Sequence, residues 1–408
     1  MSKLYELPEG WGTKKFDDIK ISNVIGLVRN AKEQGQYLEY QYVKMNNITN
    51  DNLLTFDNII YVDANNNEVE KFKLQKGDFL FNTRNSFELV GKSCIVDFES
   101  SKPILFNNNI MRVRFKNIVS PYFIAYQFRA YFIQNQLESI KSATTSVAAI
   151  YYKALREIDI IIPPLQEQKR IVDKLDSLFA KIDQAIALHQ QNIDEAEGFM
   201  GSVLNEVFGE LEGKYEKRTL FSFQPKISAG GTPLRKESSY WNGDIEWYSS
   251  GELNQLYTLP AKEKITQVGL DNSSAKLFPK GTLLMGMYDT AAMKMSILSN
   301  DGSCNQAIVG FKPQENELNI FFAKYQLEYL KEKILEQRQG VRQQNLNLSK
   351  IKNIELEYPP LETQQKTVTY LDQLSQRTEK LKQTQQEKMQ SLKDLKASLL
   401  DRAFRGEL

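Results

Sequence analysis

The side chains that could do covalent chemistry in this chain are few and poorly spaced for it. His189 is the only histidine and Cys94 and Cys304 are the only cysteines among 408 residues. That leaves no Ser-His-Asp or Cys-His arrangement and no His/Cys cluster with zinc spacing. Three short stretches come nearer. The run from Ser86 to Ser93 ends in Gly91-Lys92-Ser93 like a phosphate-binding loop. That loop requires glycine where Ser86 stands, and here a strand leads into a turn rather than a turn into a helix. Ala229-Gly230-Gly231-Thr232 is glycine-rich but lacks the G-x-G-x-x-G spacing after a strand, so a nucleotide site is unsupported. Glu167-Gln168-Lys169 is spelled like a nuclease motif, yet it opens a helix and has no partner acid in a strand. The expectation is a chain with no catalytic residue, metal site or cofactor of its own.

Composition narrows the class further. At 41% hydrophobic residues the chain can bury two ordinary cores. The first residues are mixed and polar, unlike a signal peptide, and no apolar run approaches the roughly 18–20 residues that span a bilayer. Two cysteines do not suggest a disulfide framework and fit a reducing cytoplasm, with both thiols expected to pack as small hydrophobes. The net charge is +1. Residues 1–164 carry 20 basic against 18 acidic groups and residues 212–360 carry 19 against 17. The stretch 165–211 carries 4 against 9, and 361–408 carries 9 against 7. A nucleic-acid face must then be a local concentration of Lys and Arg rather than a whole-protein field.

The elements that must position any site occur twice. Ile158 to Gln168, which contains Pro163-Pro164-Leu165, returns 196 residues later as Ile354 to Gln364 with Pro359-Pro360-Leu361. Each copy runs into a long helical segment, the first ending in Phe208-Gly209-Glu210-Leu211 and the second in Phe404-Arg405-Gly406-Glu407-Leu408. Such a repeat marks two copies of one unit, and duplex DNA is the commonest partner with matching pseudo-symmetry. Ahead of each double proline lies a region of short strands, such as Asn58 to Val62 and Met111 to Phe115, separated by turn signals at Asn65-Asn66-Asn67, Lys76-Gly77-Asp78 and Asn107-Asn108-Asn109. A helix is predicted from Ser120-Pro121 to about Ile140. The second half repeats the layout: Lys280-Gly281-Thr282 parallels Lys76-Gly77-Asp78, and Lys324-Tyr325-Gln326-Leu327 parallels Ala125-Tyr126-Gln127-Phe128. A shared frame with divergent loops suits two different recognition tasks.

Prolines end each strand region and heptads follow. The first seam is read as Ile171, Leu175, Leu178, Ile182 and Ala185, resuming after His189 at Ile193, Ala196, Met200, Val203 and Val207 with one extra residue, a stutter. The second is read as Leu371, Leu374, Thr378, Leu381, Gln385, Lys388, Leu392, Leu395 and Leu399. His189, Gln385 and Lys388 make the middles polar, which suits register control. About 40 helical residues span roughly 60 Å, and two such stripes would bury each other as an antiparallel coiled coil. The expected fold is therefore α+β, with two mostly-β domains joined by two long helices in a pseudo-two-fold arrangement. The domain limits are 1–163, 164–211, 212–359 and 360–408.

The residues now point to a family. Gly230-Gly231-Thr232-Pro233 followed by Tyr240-Trp241-Asn242-Gly243-Asp244-Ile245-Glu246-Trp247 resembles the opening of target recognition domains in specificity (S) subunits of type I restriction–modification systems. Gly77-Asp78-Phe79-Leu80-Phe81-Asn82 with Glu88-Leu89-Val90-Gly91-Lys92, both Pro-Pro-Leu segments and the terminal Phe-Arg-Gly-Glu-Leu extend the resemblance over essentially the whole chain. The first half departs from it by lacking the Gly-Gly-Thr-Pro box, so the two halves should read different sequences. The resemblance implies a non-catalytic subunit in which each domain reads half of a split site on double-stranded DNA. It implies that the helices set the gap and hold two methyltransferase (M) subunits, which carry S-adenosylmethionine and flip the target adenine. Restriction (R) subunits with ATP and Mg would join them in a bacterial or archaeal cytoplasm. A solitary coiled-coil scaffold, or the specificity module of another modification system, is the alternative. A self-contained methyltransferase is excluded, because Tyr358-Pro359-Pro360-Leu361 lacks both the leading amide or acid and the trailing aromatic of an Asn/Asp-Pro-Pro-Tyr/Phe box.

Phosphate contacts need Lys, Arg or small polar donors, and base contacts need Arg, Lys, Asn, Gln, Ser or Thr on exposed loops. In the first half these are Arg84, Asn85 and Ser86, with Lys141, Thr144 and Thr145. In the second they are Thr232, Arg235 and Tyr288, with Arg338, Gln339, Arg342 and Gln343 flanking a glycine after a helix. Trp241 and Trp247 are expected to pack rather than to stack on bases.

Overall fold

The computed structural model describes residues 7–143, 147–288, 291–336 and 346–408. The chain divides into two compact units, Met1–His189 with Gln386–Leu408, and Gln190–Gln385. The division cuts both long helices, Leu165–Leu211 and Leu361–Phe404, near their polar middles. Each unit thus owns the beginning of one helix and the end of the other.

In the first unit an antiparallel sheet runs in the order Lys20–Ile25, Ile110–Phe115, Phe79–Asn82 and Ser93–Ile95. Its central strand reads Phe-Leu-Phe-Asn and is buried throughout, because both faces are covered. Phe79 and Phe81 face a core with Phe123 and Phe128 of the helix Pro121–Arg129. Leu80 faces the other way, into a second core with Tyr42, Val62 and Phe106. That core belongs to a second sheet ordered Gln34–Gly35, Ile60–Val62, Tyr40–Val43 and Ile104–Phe106. The strands Gly12–Lys15 and Asp159–Ile162 pair antiparallel where the chain enters and leaves the domain. The predicted long helix after Ser120 is broken at Ala130, whose ψ of 146° is extended, into Pro121–Arg129 and Tyr131–Ser139. Pro121 takes the first helical position as expected, but Ser120 contributes its backbone N–H rather than a side-chain cap.

The second unit repeats this frame. Its four-stranded sheet runs Ser228–Ala229, Ile308–Phe311, Leu283–Gly286 and Met295–Ile297. A three-stranded sheet runs Glu263–Ile265, Trp241–Tyr248 and Gly302–Cys304. Lys217–Thr219 pairs with Glu355–Glu357 at the domain's neck. Gly77 and Gly281 both adopt positive φ, +86° and +82°, so the repeated Lys-Gly turn needs glycine at its second position. The copies diverge inside the frame. Arg112 on the first sheet is buried beside Asp78, which Arg114 holds in two hydrogen bonds of 2.6 and 3.1 Å. At the matching place in the second sheet stands Gly310, where a Cβ would lie 2.4 Å from the ring of Phe278.

The repeated sequence signatures are joints. Gln168 is fully buried; its carbonyl accepts from Ser120 N (2.8 Å) and its amide donates to the carbonyls of Ile118 (3.1 Å) and Pro163 (2.8 Å). Gln364 makes the same set, accepting from Asn319 N (2.8 Å) and donating to Glu317 (3.4 Å) and Pro359 (2.9 Å). Tyr126 donates to Asp176 and Tyr325 to Asp372, each anchoring its domain's helix to the start of a long helix. Gln127 brackets the N–H and C=O of Ile161. Gln326 brackets those of Glu357 with its amide oxygen toward the N–H.

The long helices run antiparallel in each unit. Arg170 donates to the Leu408 carbonyl (2.7 Å) and Lys396 pairs with Asp183 (2.6 Å) in the first, while Lys382 pairs with Glu197 (2.8 Å) in the second. Ile171, Leu175, Ile182, Leu371 and Leu399 are buried in the seam, and Leu178, Leu374 and Leu392 are half-buried against it. The stutter after His189 holds: Ile193, Ala196 and Val203 are buried. Leu381 and Leu395 correct the reading, since each is 46% exposed, and Lys388 is exposed as well. Between Thr378 and Leu399 the half-buried places go instead to Lys382, Met389 and Lys396, one residue later. The cross-helix pairs explain the choice, because a lysine reaching an acid on the facing helix lays its aliphatic stem along the seam. Gln385 remains a buried polar seam residue.

Candidate nucleic-acid interface

In each unit four segments meet at one end of the central sheet. In the first, Gly26 N donates to Ile110 O (3.1 Å), Leu27 N to Phe106 O (2.8 Å), Thr83 N to Asn109 O (2.8 Å) and Ile150 N to Thr83 O (3.0 Å). This network gathers Gly26–Arg29, Thr83–Ser86, the turn at Asn107–Asn109 and the stretch leading to Ile150. The strands Arg84–Asn85 and Ala148–Ala149 pair beside it. In the second unit Gly230 N donates to Ile308 O (2.9 Å), Gly231 N to Cys304 O (2.9 Å), Met287 N to Ala307 O (2.9 Å) and Leu346 N to Met287 O (2.9 Å). These bonds match one for one. The Gly-Gly-Thr-Pro box therefore has a counterpart in the first half, Gly26-Leu27-Val28-Arg29, whose first two residues make the matching backbone bonds while the side chains differ. Both leading glycines are required. A Cβ on Gly26 would stand 2.2 Å from Asn107 O, and one on Gly230 would stand 2.2 Å from Cys304 O.

Of the described residues expected from the sequence, Arg84, Asn85, Ser86, Thr232 and Tyr288 lie in the segments of this end. Arg84 and Tyr288 each follow the central strand by two residues, so they occupy one position of the frame. Arg84 is exposed and its side chain has no partner among the described residues, whereas Tyr288 is half-buried against the core. Asn85 is committed internally: it donates to Asn82 (3.1 Å) and accepts from Ser86 N (2.9 Å), which makes Asn85 and half-buried Ser86 parts of the turn. Lys141 props the same loop, donating to Phe87 O (3.0 Å), lying 4.7 Å from the Phe87 ring centre and pairing with Glu138 (2.6 Å). Thr144, Thr145, Arg338, Gln339, Arg342 and Gln343 lie outside the described residues; in sequence the two groups precede Ile150 and Leu346, which hold matching places in the network.

Arg235 is bound within its own domain. It pairs with Glu263 through both ends of the guanidinium and lies 4.0 and 4.8 Å from the ring centres of Trp241 and Trp247. The tryptophans pack edge to face at 5.2 Å, and the Trp247 N–H donates to Gly231 O (3.0 Å). Thr232 donates its hydroxyl to the amide oxygen of Gln306. Sequence reasoning missed Gln306 and its counterpart Asn108, both exposed at the tips of equivalent turns. Asn107-Asn108-Asn109 was legible only as a turn. Its pairing with Asn305-Gln306-Ala307 rests on matching backbone bonds and one shared asparagine, too little for a sequence signal.

Both cysteines are closed off from solvent. Cys94 and Cys304 are buried, and burial pushes the Cys304 thiol up to about 12 and raises that of Cys94 further. Glu167 is held below the usual carboxylate range by its hydrogen bonds from Arg170. The Ser86–Ser93 run is a turn between strands, with no helix to present its N–H groups to a phosphate. Among the described residues no group of three or more His, Cys, Asp or Glu is placed to hold a metal ion, and no helix is long and apolar enough to cross a membrane.

The family and the fold are shared with known proteins. Residues 8–197 and 213–390 match the family described as the type I restriction modification DNA specificity domain. The type I restriction enzyme StySPI specificity subunit of Salmonella potsdam is 25% identical, aligned over 99% of this chain and 90% of its own length. The EcoKI specificity subunit of Escherichia coli K12 is likewise 25% identical over 99% and 90%. Among solved structures, the HsdS subunit from Thermoanaerobacter tengcongensis shares the fold at a TM-score of 0.56 and 22% identity, covering 99% of both chains. A chain from work on complex assembly and conformational transition of the type I R-M system shares it at a TM-score of 0.78 and 22% identity, over 99% of this chain and 100% of that one. With both repeats matched, the chain belongs to the type I restriction–modification DNA specificity family.

Proposed function

We propose that this chain is the targeting subunit of an adenine methyltransferase and ATP-dependent endonuclease, and that each unit reads one half of a split, asymmetric DNA site. The observation that carries this is the pair of matching four-segment ends whose backbones agree while their side chains do not. Arg84 stands where Tyr288 does, Asn108 where Gln306 does, and Val28 where Thr232 does. One frame carrying two different sets of groups suits two half-sites of different sequence.

The chain supplies recognition, and chemistry is left to its partners. Methyltransferase subunits would bring S-adenosylmethionine and restriction subunits ATP and Mg, in the cytoplasm of a bacterium or archaeon. We assign the docking of two methyltransferase subunits to the long helices. Leu165, Leu188 and Leu395 in the first unit and Phe199, Leu361 and Leu381 in the second are between 39% and 54% exposed. The helices also set the gap between the half-sites.

Co-expression with the methyltransferase subunits, followed by mapping of N6-methyladenine across host DNA, tests this reading. A single bipartite motif with unlike halves is expected. Removing one heptad from each helix should shorten the tolerated gap and leave both half-sites unchanged. An unchanged gap would refute the spacer role.

A further inference from the structure

Gln306 and Asn108 stand at the tips of matching turns, both are exposed, and neither enters the sequence motifs that define the domains. Each tip lies at the centre of its four-segment end. Asn107 N is bound by Val43 O (2.9 Å) and Asn305 N by Tyr248 O (3.0 Å), so the turn backbones are tied down on both sides. Asn107 and Asn305 also accept through their side chains from Asn109 N (3.3 Å) and Ala307 N (3.0 Å), which shapes the turn, and the intervening residue is exposed at its tip.

The two amides differ in how they are held. The Thr232 hydroxyl donates to Gln306 Oε1 at 2.5 Å. One hydrogen bond removes most rotamer freedom from a long side chain, yet it uses only one of the two lone pairs on that oxygen and neither N–H of Nε2. The amide is left with an acceptor and a donor side by side, in one plane. The edge of adenine in the major groove offers the complement, a donor at N6 and an acceptor at N7, and a glutamine or asparagine meets both at once. At the matching position in the first unit Val28 replaces Thr232, so Asn108 receives no such hydroxyl.

Resting on the reading that each unit binds one half-site, we propose that Gln306, oriented by Thr232, reads the adenine of one A·T pair in the second unit's half-site, and that Asn108 holds the equivalent position in the first. Thr232 is a positioning residue. The other residues at each end fix the turn or remain available for the DNA backbone.

The test uses the full chain assembled with its methyltransferase subunits. Binding is measured against a duplex library randomised within the half-sites, and modified adenines are mapped in parallel. Gln306→Ala should make one pair of one half-site degenerate and weaken binding to the cognate duplex about tenfold to a hundredfold, with the other half-site unchanged. Asn108→Ala should do the same in the other half-site alone. Gln306→Glu keeps the size and the Thr232 bond, and should turn the preference at that pair from adenine toward cytosine, whose N4 is a donor. Thr232→Val should weaken discrimination at the pair that Gln306 reads and no other. Uniform weakening over all sequences, with a shallower salt dependence, would make Gln306 a backbone contact and overturn the proposal. So would unchanged discrimination in a Gln306→Glu complex of native thermal stability. A wild-type complex that binds every duplex equally would overturn the reading of the units as sequence readers before any variant is compared.

Discussion

Gln168 and Gln364 are fully buried and each satisfies three backbone groups at the mouth of a long helix. An orphaned buried donor or acceptor costs more than the net value of the bond it lost. Gln168→Ala or Gln364→Ala should therefore cost about 2–4 kcal/mol, read as a lower denaturant midpoint. Their spelling was plain in the sequence as the third residue after each Pro-Pro-Leu, but their purpose was not, since the N–H groups they accept from lie 48 and 45 residues away. The Tyr-Gln pairs in the domain helices are similar: visible as a repeat, explained only by the strand and helix they clasp. For the candidate interface the difficulty is the reverse. Arg84 and Tyr288 were legible as candidate contact residues, whereas Asn108 and Gln306 are marked only by the matching backbone bonds of their two turns.

The long helices show where periodicity stops informing. Heptad counting located both helices and the stutter near His189, and it placed Ile171, Leu175, Ile182, Leu371 and Leu399 inside. It chose Leu381 and Leu395 over Lys382 and Lys396 because leucine is the more apolar residue. In a helix two adjacent positions differ by about 100°, and the acids on the facing helix decided between them. Asp183 and Glu197 draw the lysines inward, and the leucines are left at the rim. Replacing Leu395 with Lys should accordingly change stability by less than about 0.5 kcal/mol. Leu399→Ala should cost about 2–4 kcal/mol. Equal losses in a thermal melt would restore the simpler heptad.

Across the whole molecule, each core borrows from a distant part of the chain. Phe404 is fully buried against Phe123 and Phe132 in the first unit, with ring centres 5.3 and 5.9 Å away. Phe208 is buried against Phe322 and Tyr329 in the second, at 5.5 and 5.6 Å. Truncating either to alanine removes an aromatic side chain from a packed core, worth about 3–5 kcal/mol. Hydrogen exchange should show Phe404→Ala loosening the strand Phe79–Asn82 while Leu283–Gly286 keeps its protection, with the reverse for Phe208→Ala. Loss in both strands for either variant would mean that the units melt as one.

The borrowing also sets a timetable. Gln190–Gln385 is one unbroken stretch, whereas the first unit lacks part of its core until Gln386–Leu408 has been made. A ribosome adding about 5–20 residues per second needs roughly 10–40 s to cover that interval. The part translated later is therefore the first able to finish folding. During the wait, the surface that Phe404 will cover on Phe123 and Phe132 stays open to water, to chaperones and to other nascent chains.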